Sequence, residues 1–272
     1  MPAATSDDPR LEAYHELVRR TVAGIADETV ETAEGWAART RDLPRVWTLN
    51  QVSCTAPATF ATLVDRCDAF QADLHYRHLV VRHEPTARAV EPDFAEAGWR
   101  IERDVVMALV GIPAVPDGAD AVRELTEDQM AALMAAWLTE EHAGIEDPAV
   151  EEVLEYNRRE GRLFGERCYG VLGDDGRPLA VTKLRVSGSL GWVEDVYTMP
   201  DARGRGHART LVALAARGAR AAGCKEVVLV ADADDWPQHL YRRIGFEEVG
   251  RSPIFHLEVE AASLARGVRA RP

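Results

Sequence analysis

The stretch Val193-Glu-Asp-Val-Tyr-Thr-Met-Pro200-Asp-Ala-Arg203-Gly-Arg-Gly-His-Ala208 decides how the chain is read. It begins as a strand, Leu190–Thr198, and ends as a glycine turn. A helix then runs to Ala222, with Gly223 as its stop. Glycines let the backbone approach a ligand closely and adopt positive φ. The first amides of a helix have no internal partner, and the helix dipole is positive there. A pyrophosphate suits such a place, and Arg203 and Arg205 add charge. Alone, a Gly-x-Gly turn is weak evidence and also describes a plain tight turn. It is not G-x-G-x-x-G, because Arg209 fills the last position. It is not a P-loop, because no Gly-Lys-Ser/Thr follows.

Working outward, Ala121–Leu125 reads as a strand. Thr126-Glu-Asp-Gln129 reads as a capping box that opens a helix to Glu141, and Pro148–Leu163 reads as a second helix. Arg167–Leu172 and Leu179–Val186 flank Gly173-Asp-Asp-Gly176, a hairpin signal. Past the glycine turn come a buried strand, Glu226–Ala231, a short helix, Trp236–Arg243, and one or two strands over Phe246–Glu258. Upstream, apolar spacing predicts a helix over residues 10–41, a strand Arg45–Val52, a helix Ala58–Ala72 and a strand His78–Arg82. A short helix Pro92–Ala97 and a strand Trp99–Val110 follow. Gly111-Ile-Pro-Ala-Val-Pro-Asp-Gly-Ala-Asp120 is the best linker candidate. The tail Ala261–Pro272 reads as loosely ordered.

The two halves run in parallel. Leu63, Leu79 and Gly98 recur as Leu211, Val227 and Gly245, about 148 residues later, and Trp47–Val52 sits at the place of Trp192–Val196. The first half carries Cys54-Thr-Ala-Pro-Ala-Thr59 in place of the glycine turn, and Phe94 in place of Tyr241.

Taken together, Arg203-Gly-Arg-Gly-His-Ala208, the strand before it and Leu240-Tyr-Arg-Arg-Ile-Gly-Phe246 resemble the GNAT acetyltransferase superfamily. The resemblance covers about half the chain, and the first half resembles a degenerate copy. It implies an α/β fold with a mixed sheet, the acyl-CoA N-acyltransferase fold. Residues 1–112 would be a degenerate GNAT-like domain with an N-terminal helix, and residues 120–262 the catalytic domain. The implied activity is transfer of an acetyl group from acetyl-CoA, as cosubstrate, to an amine. The implied cofactor contacts are Val196, Tyr197 and Thr198 on the strand and Arg203, Gly204, Arg205, Gly206, His207 and Ala208 in the loop. Val196 and Thr198 would pair with pantetheine through their backbone, and the amides from Gly204 to Ala208 would hold the pyrophosphate. His207 would contribute its backbone rather than its imidazole. The amine must lose a proton before it attacks. Glu194 and Asp195 are the candidate bases on opposite faces of the strand, and Glu194 is preferred. Tyr241 would give a proton to the leaving thiolate. No metal is required. The first half, without glycine loop or tyrosine, is expected to bind no acetyl-CoA; it shapes the acceptor cleft or braces the second half.

The chain has 272 residues and a net charge of −13, with 45 acidic against 32 basic side chains. That argues against a nucleic-acid partner, which calls for a basic face. No apolar run approaches the ~20 residues of a membrane helix, and Met1–Arg10 carries no signal-peptide pattern. Cys54, Cys67, Cys168 and Cys224 form no C-x-x-C pair, which reads as free thiols in the cytoplasm. Asp232, Asp234 and Asp235 follow a strand without the glycine of a calcium loop. Seven acidic residues between Glu140 and Glu155, with no Lys or Arg among them, suit an amine-bearing small-molecule acceptor; a solvated acidic helix face has the same composition. The protein is expected to work as a monomer or homodimer. The alternative to an enzyme is a non-catalytic acyl-CoA sensor, which retention of Tyr241 and Glu194 disfavours.

Overall fold

The computed structural model describes residues 8–142 and 144–259; the expected tail Ala261–Pro272 lies outside them. Helix α1, Pro9–Ile25, starts where the Asp8 carboxylate accepts the Arg10 amide. It stops at Ile25, not near residue 41. The β-branched run Thr29-Val-Glu-Thr32 forms strand β1, Glu28–Thr32, which turns back as β2, Gly35–Arg39. The predicted strand over 45–52 is also corrected. Trp47–Leu49 is a single tight helical turn, and strand β3 is Val52–Cys54. The buried Asn50 side chain causes this: its amide donates to Leu43 and Val46 carbonyls, and its oxygen accepts the Thr40 amide. Helix α2, Phe60–Phe70, strand β4, Tyr76–Val81, helix α3, Glu84–Glu96, and strand β5, Arg100–Leu109, complete the first half. Helix α3 begins eight residues before Pro92, which sits inside it.

The second half comprises β6 (Val122–Glu124), α4 (Glu127–Glu141), α5 (Asp147–Leu163), β7 (Arg167–Leu172), β8 (Pro178–Ser187) and β9 (Leu190–Thr198). Then follow α6 (His207–Ala221), β10 (Glu226–Asp232), α7 (Pro237–Ile244) and β11 (Phe246–Glu258). The Thr126–Gln129 capping box forms as read. The stretch read as a linker is strapped along α6: the Arg217 guanidinium donates to the Pro113 carbonyl, and the Thr210 hydroxyl to that of Asp117.

The eleven strands of the described residues form one mixed sheet, in the order β1-β2-β3-β4-β11-β5-β10-β9-β8-β7-β6. The series β3-α2-β4-α3-β5 and β9-α6-β10-α7-β11 repeat the same order, each opening with a parallel strand pair. The last strands are exchanged. β5 lies between β10 and β11, and β11 lies between β4 and β5. Neither half therefore has a closed sheet of its own. Helices α1, α4 and α5 cover one face, packing Leu17, Leu133 and Val153 against Val106, Trp192 and Val228. Helices α2, α3, α6 and α7 cover the other, over Leu63, Phe94, Val212 and Tyr241.

Candidate active site

Strands β9 and β10 pair in parallel only where Leu190–Trp192 face Glu226–Val228. Beyond that they diverge. The register between β8 and β9 shifts between Val181 and Lys183, and Asp195 sits in this bulge at φ 49°. A bulge bends its strand and increases its twist, so β9 swings away from its neighbour. Among the described residues Asp195 alone takes positive φ without being glycine. Such strain collects at functional sites. The gap opens into a cavity of about 530 Å³ that passes through the sheet, with the glycine turn at one end.

At that end Gly206 caps α6 at φ 83°, and Gly204 stands at φ 78°. A Cβ on either would meet nothing within 4 Å. The bare backbone therefore borders open space at a helix N-terminus, where an anion is favoured. Arg203 donates from Nε to the Thr198 carbonyl at 3.0 Å and pairs with Glu140 at 3.1 Å. Arg205 donates to the Asp201 carbonyl. Arg205 is not among the lining residues; of those that are, Thr198 and His207 carry polar atoms, Oγ1 and Nε2, buried without a hydrogen-bond partner among the described residues. His207, expected to contribute its backbone, thus also carries a buried imidazole nitrogen. Val196 packs toward α6 and α7. The Tyr197 ring goes to the opposite face, stacked on Trp137 at 5.0 Å with its hydroxyl donating to Glu140.

Tyr241 lines the middle of the cavity, 5% exposed, with its ring edge-on to Phe246. Burial pushes its phenol well above the ordinary range, and Asp235 adds to the effect. Glu194 and Asp195 line the cavity too, but not on opposite faces. The bulge breaks the alternation, and both reach cations of β8 on the face covered by α1, α4 and α5. Asp195 pairs with Lys183 at 2.8 Å, and Glu194 with Arg185. Arg185 is 2% exposed, lies 5.4 Å over the Trp192 ring, and also holds Glu160 at 2.8 Å and Glu166 at 2.7 Å. Burial pushes the Glu166 carboxyl up, but Lys183 and Arg185 outweigh it and hold the group below its usual range. Four carboxylates thus share two cations in a buried cluster at the cavity wall.

The acidic run on α4 and α5 divides by role. Glu152 pairs with Arg45, and Glu155 pairs within α5 with Arg158 and Arg159, the latter also reaching Asp42; the contacts to Arg45 and Asp42 fasten α5. Glu140 and Glu141 alone of the seven come to the site. His239 is exposed on α7 and donates nothing to the cavity lining. Two lining carboxylates escaped sequence reasoning, Glu102 and Asp104 on β5. Their i, i+2 spacing was visible in Arg100-Ile-Glu-Arg-Asp-Val105, but nothing local placed that strand beside β10. The corresponding place in the first half is closed: β3 pairs with β4 over its whole length, and Phe94 is fully buried among Phe60, Trp99 and Phe255.

Residues 128–246 match the acetyltransferase (GNAT) family model. Among solved structures, the chain is similar to a GCN5-related N-acetyltransferase from Kribbella flavida, with 20% identity, TM-score 0.59, and 90% of this chain and 93% of that one covered. It is similar to a functionally unknown conserved protein from Staphylococcus epidermidis, with 13% identity, TM-score 0.62, and coverage of 86% and 95%. A Drosophila protein gives 14% identity, TM-score 0.56, and coverage of 92% and 90%. At these identities the likeness is one of fold, and it extends over both halves. No curated protein matches the chain. No helix among the described residues is long and apolar enough to cross a membrane.

Proposed function

The chain carries an acetyltransferase domain of the GNAT family at residues 128–246, and from that premise we propose that it moves the acetyl group of acetyl-CoA to the amine of a small cationic acceptor. The observation that carries this reading is the cavity between β9 and β10. It joins an anion-ready glycine turn on one face of the sheet to a carboxylate-walled chamber on the other, with Tyr241 between them.

The amides of the α6 N-terminus, with Arg203 and Arg205, suit the pyrophosphate of acetyl-CoA, and the unpaired edge of β9 from Val196 to Thr198 suits its pantetheine arm. Asp195 takes the proton from the acceptor ammonium. Asp195 is favoured over Glu194 because Glu194 is tied into the crowded Arg185 cluster, whereas Asp195 stands at the strained bulge with the Lys183 ammonium as its neighbour. The freed amine nitrogen attacks the thioester carbonyl, the C–S bond breaks, and the Tyr241 hydroxyl gives its proton to the departing sulfur. Most of the rate would come from positioning, with proton transfer adding to it. The buried, uncharged phenol is suited to donate. Within the same reading, residues 1–112 are a degenerate copy and 120–262 the catalytic domain, supported by the repeated element order. Four free thiols, three of them buried, favour a reducing cytoplasm.

Calorimetric titration with acetyl-CoA, followed by thiol release over a panel of small amines, tests the proposal. Binding with turnover supports it. Asp195→Asn should then lower kcat by about 10²-fold or more, with acetyl-CoA affinity unchanged. Binding without turnover on any amine would sink it.

A further inference from the structure

A single cluster of side chains joins the glycine turn to helix α4. Of the turn's two arginines, Arg203 lines the cavity and Arg205 does not. Arg203 reaches across to α4, where its guanidinium pairs with the Glu140 carboxylate at 3.1 Å. The same carboxylate accepts the Tyr197 hydroxyl, and the guanidinium stands 5.8 Å from the centre of the Tyr197 ring. Tyr197 is fixed in its turn. It is 5% exposed and stacked on Trp137, three residues before Glu140 on α4.

The two partners are unequally held. Glu140 keeps the buried Tyr197 hydroxyl whichever way Arg203 turns. Arg203 has a side chain 54% exposed and is otherwise tied by its Nε to the Thr198 carbonyl. An exposed ion pair is worth little. A phosphate at the N-terminus of α6 can take backbone amides and the guanidinium together, which is a stronger set of bonds. Both anions call on the same cation. A carboxylate already paired with Arg203 lowers what the guanidinium gives to a phosphate, and repels the phosphate as well.

Resting on the acetyl-CoA reading of this cavity, we propose that Glu140 is a built-in competitor of the cofactor phosphates for Arg203. The pyrophosphate seats by drawing Arg203 off Glu140, which stays bonded to Tyr197. The exchange unties the glycine turn from α4, the helix whose Trp137 and Glu141 line the same cavity. After transfer the carboxylate recovers Arg203, and its return favours release of the spent CoA. Glu140 thus acts through Arg203 and sets how tightly the cofactor is held, without touching the reacting atoms.

The test is a double-mutant cycle read by calorimetry with CoA. Glu140→Gln should bind CoA about threefold more tightly than the native chain, whereas a merely structural role would leave affinity unchanged or lower it. Arg203→Gln should bind CoA more weakly, and adding Glu140→Gln to it should change affinity by less than about 1.5-fold. A gain that persists without Arg203 would make Glu140 a general negative charge near the phosphates and overturn the proposal. No gain in Glu140→Gln would overturn it too. If Arg203→Gln does not fold, Arg203→Met completes the same cycle. Inorganic pyrophosphate, titrated in parallel, separates this inference from the reading it rests on. The expected cycle with pyrophosphate, in a chain that binds no CoA, would refute acetyl-CoA as cosubstrate and leave the competition standing. CoA binding with turnover, but no gain in Glu140→Gln, would do the reverse. Binding of neither probe overturns both.

Discussion

At the residue scale, Tyr241 and Phe94 occupy matching places in the two halves and differ by one oxygen. Phe94 is buried among aromatic rings, whereas Tyr241 meets the Phe246 ring and the cavity. Burial raises its phenol, so the proton stays on through the neutral range and is available to a leaving sulfur. Tyr241→Phe should therefore reduce kcat about 10²-fold and leave acetyl-CoA affinity within about twofold, measured by steady-state thiol release. Unchanged kcat would remove the tyrosine from the mechanism. The loop and this tyrosine were legible in the sequence because each is a short local pattern. The common side of Glu194 and Asp195 was not. Strand alternation predicts opposite faces, and only the slip of β9 against β8, a pairing between distant residues, puts an extra residue at Asp195.

At the scale of elements, the placement of α6 over β9 aims the glycine turn at the cavity. Its buried face is built largely of alanine, Ala213, Ala215, Ala216 and Ala219, which lets the helix approach the sheet closely. A Cβ on Gly191 would come within 2.6 Å of the Ala219 Cβ. Gly191→Ala should destabilise the fold by about 1–3 kcal/mol through this overpacking and weaken acetyl-CoA binding as α6 shifts; urea melts and cofactor titration check both. Helix α1 makes another junction with consequences. His15 is buried against Ser252 of β11 at 3.1 Å, and burial, with Arg82 nearby, pushes its imidazole from 6.5 down to about 2. Between those values the unfolded chain holds a proton there that the folded one does not. The unfolded state thus binds more protons, and stability falls as pH falls below about 6.5. The loss should reach about 2 kcal/mol from pH 7.5 to pH 5. Melts at both pH values should show His15→Gln losing that much less; equal pH dependence in the two proteins would refute it. Helix α1 was predicted from its apolar spacing, but the hairpin β1–β2 was absorbed into it. The residues of β1 are polar enough to continue a helix surface, and the buried β2 is held by β3, a pairing beyond the reach of a local pattern.

For the whole molecule, the exchanged strands make the halves interdependent. β5 has β10 on one side and β11 on the other, and β11 is bonded to β5 over ten residue pairs. Heating should give one transition, with calorimetric and van't Hoff enthalpies in agreement. Two separated transitions would mean the halves fold independently. The repeated order of elements could be read from the sequence, since matched residues recur at a nearly constant offset. The exchange could not, because both arrangements bury the same residues and satisfy the same alternation. The origin of Glu102 and Asp104 in the cavity was hidden for that reason.

The interleaving also sets a schedule. A chain emerging from the ribosome delivers β5 more than a hundred residues before β10 and longer still before β11. Until then β5 has an unpaired edge on each side, and β4 waits for β11. An open apolar strand edge is a site for pairing with other nascent chains. Completion of the sheet is thus deferred until β11 has been made, and the first half, though made first, is finished last.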